Sequence, residues 1–348
     1  MTSQNIWLIT GTSTGLGREL ALSALARGDK VIATARSTES VKDLQSLYPD
    51  TCRILQLDVT DTFARISAKA NEAVDIWGRI DVVVNNAGHA LVATVEEAGV
   101  EMLLEMYKTN VFGVVNVTNA FLPYLRQRRS GTVVIVGSRS GWRTRFATNA
   151  LYGSSKAAIH AIADALAMEL RPQGIRVLTV VPGGMRTSGI NNIRFVGKTP
   201  LLFRDPSPSK DLQEHPLGQS DTLLESSKEE LAQHSNSALT SHASNGLIVT
   251  EVPEYALIRA GVQKYFEATN GAESGDARKA ARVIVDVVRG EGVVAGKERE
   301  WPMNDTLYLG SDAKRDVEKK CREVLADLEE WGDIARNVDF EEEGEKRL

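Results

Sequence analysis

Apolar residues follow two alternating patterns along the first half of the chain. Continuous apolar runs cover 6–10, 31–35, 53–57, 80–84, 132–136 and 176–181. They are too short for helices and lack polar alternation, so they read as strands buried on both faces. Between them, helical spacing covers 18–27, 61–77, 96–127 and 150–170; in the first of these Leu20, Ala21, Ala24 and Leu25 share one face. Buried strands separated by helices pair in parallel, with the helices as crossovers on both faces. The pattern therefore predicts an α/β fold of three α/β/α layers: a Rossmann-like, doubly wound parallel sheet.

The pattern breaks after Thr187. Residues 188–250 are rich in Ser, Pro, Gln, Asn and His, and Asp205-Pro206-Ser207-Pro208-Ser209 suits neither a helix interior nor a central strand. A short helix is predicted at 223–233. Regular spacing resumes with helices at 253–268 and 277–288, a strand at 307–309 and an amphipathic helix at 313–331, with Val317, Cys321, Val324, Leu325 and Leu328 on one side. The charged end, 341–348, is expected to fray.

Bulk composition narrows the function classes. The chain has 348 residues and a net charge of −5, which offers no basic surface for nucleic acid. Cys52 and Cys321 are too far apart in sequence for a disulfide framework or a zinc motif, so a reducing compartment is expected. The five histidines lack metal-ligand spacing, and no metal is expected. No apolar run is long enough for a bilayer, and the polar N-terminus lacks the features of a signal peptide. The expectation is a cytoplasmic protein with no membrane partner.

The first strand runs into Thr10-Gly11-Thr12-Ser13-Thr14-Gly15-Leu16-Gly17, followed by a helix. Glycines in such a turn let backbone approach a pyrophosphate, and the helix N-terminus adds N–H groups and a positive dipole end. Gly11, Ser13, Thr14, Gly15, Leu16 and Gly17 are thus candidate dinucleotide contacts. Asp58 and Val59 follow the third strand, where Asp58 can accept from an adenine amine or cap the helix at 61–77. Asn86, Ala87 and Gly88 follow the fourth, where small residues leave room for a ribose. The second strand ends in Arg36 where an NAD enzyme usually places an acid. A guanidinium there suits a 2′-phosphate, with Ser13 as second donor, and predicts NADP(H).

Tyr152 and Lys156 stand four residues apart on one helix face. A nearby ammonium stabilises a phenolate and can bring a tyrosine toward a useful pKa. Together with Thr10 to Gly17, Asn85 to Gly88, Asn110 and Ser138, this pair resembles the short-chain dehydrogenase/reductase family over about 5–187, and more loosely beyond. The resemblance implies that Tyr152 is the general acid or base and that Lys156 lowers its pKa and bonds the nicotinamide ribose. It implies that Ser138 holds the substrate oxygen and that Asn110 holds a water for proton relay. Pro182, Gly183 and Thr187 match the segment over the nicotinamide, with Thr187 reaching its carboxamide, and Gly184 and Met185 are expected near substrate. The spacing from Ser138 to Tyr152 is one residue longer than usual, which places an extra residue in 142–150 and leaves Ser140 as an alternative serine.

The resemblance also implies a homodimer, and gives 188–250 the place of a substrate lid, partly disordered. Its length suggests a bulky apolar substrate; the other reading is a surface loop. The domain expectation is a catalytic core at 1–187, this insertion, and 251–348 completing the same single domain. His89 is either a substrate contact or a loop residue, and His160 a packing or surface residue. Arg139 lies midway between Gly137 and Gly141, so these residues do not form a hydrolase nucleophile elbow. The leading expectation is a ketoreductase or alcohol dehydrogenase. Alternatives are a quinone or aromatic-ring reductase, and a catalytically silent NADP-binding sensor or scaffold.

Overall fold

The computed structural model describes residues 4–187, 193–195, 241–244, 247–296 and 304–338. Seven strands form one parallel sheet: β1 (Ile6–Ile9), β2 (Lys30–Ala35), β3 (Cys52–Gln56), β4 (Val82–Asn85), β5 (Gly131–Val136), β6 (Ile175–Pro182) and β7 (Asn304–Leu309). Their order across the sheet is β7-β6-β5-β4-β1-β2-β3. The order reverses between β1 and β4, where strand ends splay apart and an α/β sheet opens its ligand crevice.

The helices are α1 (Gly15–Ala26), α2 (Lys42–Leu47), α3 (Phe63–Trp77), α4 (Val95–Tyr107), α5 (Val114–Arg128), α6 (Ala150–Leu170), α7 (Ala256–Thr269), α8 (Ala277–Arg289) and α9 (Ser311–Arg336). On one face of the sheet, Ile66 and Ala70 of α3, Phe121 of α5 and Ile159 and Ala163 of α6 pack on Leu8, Val83 and Val133. On the other, Leu20 and Ala24 of α1, Leu44 of α2 and Ile284 of α8 pack on Trp7, Val82 and Leu178. Because both faces are covered, the inner strands β1, β2, β4, β5 and β6 are mostly buried on both sides, which explains their continuous runs in the sequence.

Several boundaries differ from the sequence pattern. The helix expected at 96–127 is α4 and α5 with a π-helical turn, Lys108–Gly113, between them. Gly113 permits this turn against the strand-end segment: a Cβ there would stand 2.8 Å from the Val59 carbonyl oxygen. α3 begins at Phe63 with Thr62 as its cap, so Asp58 is not the helix cap. It instead accepts from Thr60 N at 2.9 Å and Thr60 Oγ1 at 2.7 Å. The region beyond the insertion completes the same sheet, with β7 running beside β6 from Asn304 opposite Val177 to Leu309 opposite Pro182. The helix expected at 223–233, and most of the 188–250 lid, lie outside the described residues. α9 is longer than expected, and beyond Val317 none of its described residues is buried.

Candidate active site

The loop after β1 and the loop after β4 are held together by Thr10 and Asn86. Thr10 Oγ1 accepts from Asn86 N (2.9 Å) and Ala87 N (3.0 Å), and Asn86 Nδ2 donates to Thr10 O at 2.9 Å and Gly11 O at 3.1 Å. This leaves no room for side chains at two glycines. A Cβ at Gly17 would sit 2.3 Å from Asn86 Nδ2, and one at Gly11, whose φ is +71°, 3.0 Å from Ala87 Cα. Thr12 fastens the loop to β2 through Thr34 O. Asn86 is thus a brace for the glycine loop, and Ala87 and Gly88 continue beside it.

A cavity of about 370 Å³ opens at the N-terminus of α1, lined by Ser13, Thr14, Gly15, Arg18, Glu19, Arg186, Thr187 and Ala277. Thr14 caps α1 without a side-chain bond to the helix. A glycine cradle, a helix N-terminus and two arginines suit a dinucleotide's phosphates. Arg18, ion-paired with Asp43, and Arg186 line this cavity without having stood out in the sequence, where a basic residue just inside the helix after the glycines was the available signal for Arg18. Leu16 packs partly buried against the α1 core cluster, and Arg36 is exposed directly after β2. Thr187 faces Gly15 across the cavity mouth, with its Cβ 3.7 Å from the position a Gly15 Cβ would take.

Asn110, Ser138, Tyr152 and Lys156 come together near the ends of β4 and β5. Asn110 lies in the π turn and is fully buried. Its amide donates to His89 O (3.0 Å) and Ser155 Oγ (3.1 Å), and its Oδ1 accepts from His89 N (3.1 Å). Lys156 Nζ donates to Val136 O at 2.8 Å and lies 5.8 Å from the Tyr152 ring centroid. Burial brings the Lys156 pKa down to about 8. Burial also pushes the Tyr152 phenol up, opposed by a hydrogen bond with Ser138 and by the charge of Arg139. Burial outweighs both of these downward pulls.

Ser138, rather than Ser140, stands beside Tyr152; Ser140 N donates to Ser138 Oγ at 3.1 Å. Ser138 N in turn donates to His160 Nε2 at 3.2 Å. His160 is wedged under this loop: a Cβ at Gly137 would meet its Nε2 at 2.1 Å, and one at Gly141 its Cε1 at 2.8 Å. Burial, reinforced by Lys156, pulls the His160 pKa down to about 4, so the ring is neutral and Nε2 can accept. Packing was the expected role; support of the serine loop was not.

The substrate expectations divide. His89 borders the site through its backbone bonds to Asn110 and leads into Leu91–Val92, which pairs with Arg194–Phe195. Gly184 is enclosed by Arg139, Glu273 and Asp312. Met185, partly buried, packs against the apolar cluster under α1 and α8 and beside Gly275. Among the described residues no cluster of His, Cys, Asp and Glu could hold a metal ion, and no helix is long and apolar enough to cross a membrane.

The short chain dehydrogenase family model matches residues 5–194, more than half of the chain. The chain belongs to the short-chain dehydrogenase/reductase family and is an oxidoreductase of that family. Oxidoreductase BOA17 of Botryotinia fuckeliana (strain B05.10) is 40% identical over 183 residues, 52% of this chain and 66% of BOA17, just under two thirds of that relative's length. NADP-dependent 3-hydroxy acid dehydrogenase YdfG of Escherichia coli (strain K12) is 34% identical over 194 residues, 55% of this chain and 77% of YdfG. A short-chain dehydrogenase from Streptomyces avermitilis shares the fold with a TM-score of 0.73 and 31% identity, over 97% of this chain and all of that one.

Proposed function

We propose that this protein is an NADP(H)-dependent ketoreductase or alcohol dehydrogenase acting on a bulky, mostly apolar carbonyl or secondary alcohol. The observation that carries the reading is the convergence of Ser138, Tyr152, Lys156 and Asn110 at the ends of β4 and β5, beside the sheet's switch point. When bound there, the dinucleotide supplies or accepts a hydride. Ser13, Thr14, Gly15 and Arg18 line its phosphates, with Gly11 and Gly17 shaping the loop behind them; Arg36 reads the 2′-phosphate, and the NADP dependence of YdfG supports that choice. Asp58 and Val59 border the adenine, Asn86, Ala87 and Gly88 the ribose, and Pro182, Gly183 and Thr187 the nicotinamide.

Ser138 stands close enough to lower the Tyr152 pKa, so one substrate oxygen can bond both hydroxyls. In reduction Tyr152 gives its proton to that oxygen, which its raised pKa favours at neutral pH. Lys156, charged below about pH 8, steadies the phenolate left behind. Asn110 holds His89 and Ser155 in place and offers the relay site behind Lys156.

The substrate class rests on an aromatic cluster near the site. Phe146, from the loop between Ser138 and Tyr152, stacks edge-on with Phe266 of α7 at 5.5 Å, and Phe195 does the same from the other side. Tyr265 lies against both Phe146 and Phe266. Such a wall favours a large apolar body over a small hydroxy acid. The reading extends to a cytoplasmic homodimer; the lid expected at 188–250 lies mostly outside the described residues. Purified protein assayed with NADPH and NADH against bulky and small ketones tests the reading. Faster NADPH oxidation with bulky ketones supports it, and no turnover of either coenzyme with any carbonyl rejects it.

A further inference from the structure

α9 lies beyond the stretch that matches the family model, yet its first two turns reach both sides of the site. Asp312 and Asp316 stand one turn apart and point inward, with side chains 11% and 8% exposed. Asp312 Oδ2 bonds Arg139 Nη1 at 2.7 Å and accepts from Gly184 N at 2.8 Å. Its Oδ1 accepts from Ala313 N at 2.9 Å, and the helix N-terminus favours its charge. Asp316 bonds the same Arg139 nitrogen at 3.0 Å, and Arg145 and Arg143 at 3.4 and 3.7 Å.

These bonds join segments far apart in sequence. Arg139 follows Ser138 directly, and Arg143 and Arg145 continue the loop toward Tyr152. Gly184 belongs to the segment assigned to the nicotinamide. The backbone is shaped for this contact: a Cβ at Gly183 would stand 1.8 Å from Asp312 Oδ1, and one at Gly310 2.7 Å from it. Gly183 N also donates to Leu309 O at 2.8 Å, so β7 and α9 grip this segment together. The charges are compensated: three arginines face Asp312, Asp316 and Glu323, the last 3.7 Å from Arg143. A buried carboxylate is tolerated only with such satisfaction, and removing one partner strands the others.

We propose that α9 is a clamp on the active site, in which Asp312 and Asp316 are positioning residues that hold the Ser138 loop through Arg139 and the Pro182–Thr187 segment through Gly184 at one fixed spacing. The inference rests on the proposed catalytic reading, because only then does that spacing set the distance between the proton site and the nicotinamide. Displacement of a reacting group by about 1 Å can cost a hundredfold in rate.

The test uses full-length Asp312→Ala, Asp312→Asn and Asp316→Asn, with Asp333→Asn on the exposed part of α9 as control. Amide hydrogen exchange is expected to quicken at 138–146 and 182–187 in Asp312→Ala and at 138–146 in Asp316→Asn, while 11–17 stays as in wild type. kcat is expected to fall about tenfold or more in both. The isotope effect with 4-deuterated NADPH should rise in both, and the NADPH Kd should stay unchanged in Asp316→Asn. Asp312→Asn keeps an acceptor for Gly184 and should recover protection at 182–187, while Asp333→Asn behaves as wild type. Wild-type exchange and kcat in Asp316→Asn and Asp312→Ala overturn the clamp; should the alanine variant not fold, Asp316→Asn and Asp312→Asn decide on the same readouts. Tyr152→Phe run beside them separates the two ideas. If it turns over like wild type, the catalytic reading fails while exchange still judges the clamp.

Discussion

The backbone N–H of Ser138 donates to Nε2 of His160 across 3.2 Å, and this bond fastens the loop after β5 to the helix that carries Tyr152 and Lys156. Tyr152, Lys156 and His160 follow one another at four-residue steps, so they share a face of α6. The serine and the tyrosine are thereby registered against each other from below, while their hydroxyls meet above. His160→Leu keeps volume but removes the acceptor, and a buried N–H left alone costs about 1–3 kcal/mol. Lower kcat with unchanged NADPH affinity is expected, and His160→Gln should restore part of it.

The same histidine makes stability acid-sensitive in a defined window. Its pKa lies near 4 in the folded chain against an ordinary 6.5, because burial and Lys156 disfavour the charged ring. Between those values the unfolded state binds the extra proton, so stability rises with pH from 4 to 6.5 and is lost on acidification. The contribution is up to about 3 kcal/mol. Urea midpoints measured across that range should flatten in His160→Gln relative to wild type.

Lys156 gives opposite signs for stability and activity. Its pKa is about 8 in the folded chain and near 10.5 when unfolded. The unfolded state binds more protons between those values, so stability rises with pH there. Carbonyl reduction should instead decline above about pH 8, as the ammonium that steadies the phenolate is lost. Lys156→Met should remove the alkaline stability gain and lower kcat at every pH.

Two substitutions test the cofactor cleft. Gly17→Ala places a Cβ 2.3 Å from Asn86 Nδ2 and 2.4 Å from Gly11 O. The glycine loop must shift, and NADPH binding followed by fluorescence should weaken by at least about tenfold, or 1.4 kcal/mol. Arg36→Asp exchanges a partner for the 2′-phosphate for a partner for the ribose hydroxyl, and should move the preference from NADPH toward NADH.

The doubly wound core was legible because buried parallel strands leave continuous apolar runs and their helices leave stripes. Asn110, Ser138, Tyr152 and Lys156 were candidates through the resemblance of their motifs to the family, and the fold brings them near one another. Periodicity carried no sign of the π turn, since the apolar spacing of 96–127 runs through it. Asp58 looked like a cap because it precedes α3, but Thr62 stands closer to the first turn. The roles of His160, Arg139, Asp312 and Asp316 were hidden for a different reason. They depend on contacts across more than twenty residues of sequence, and in the case of Arg139 and Asp316 on an ion pair joining a loop to a helix beyond the insertion.

The most direct measurement of the central claim is single-turnover NADPH oxidation by Tyr152→Phe with a bulky ketone that wild type reduces. Phe keeps the ring and the packing but has no proton to give. The variant is expected to fold, to bind NADPH as wild type does, and to lose at least about a thousandfold in the hydride-transfer rate. A variant that binds NADPH and reduces the ketone at the wild-type rate would contradict it.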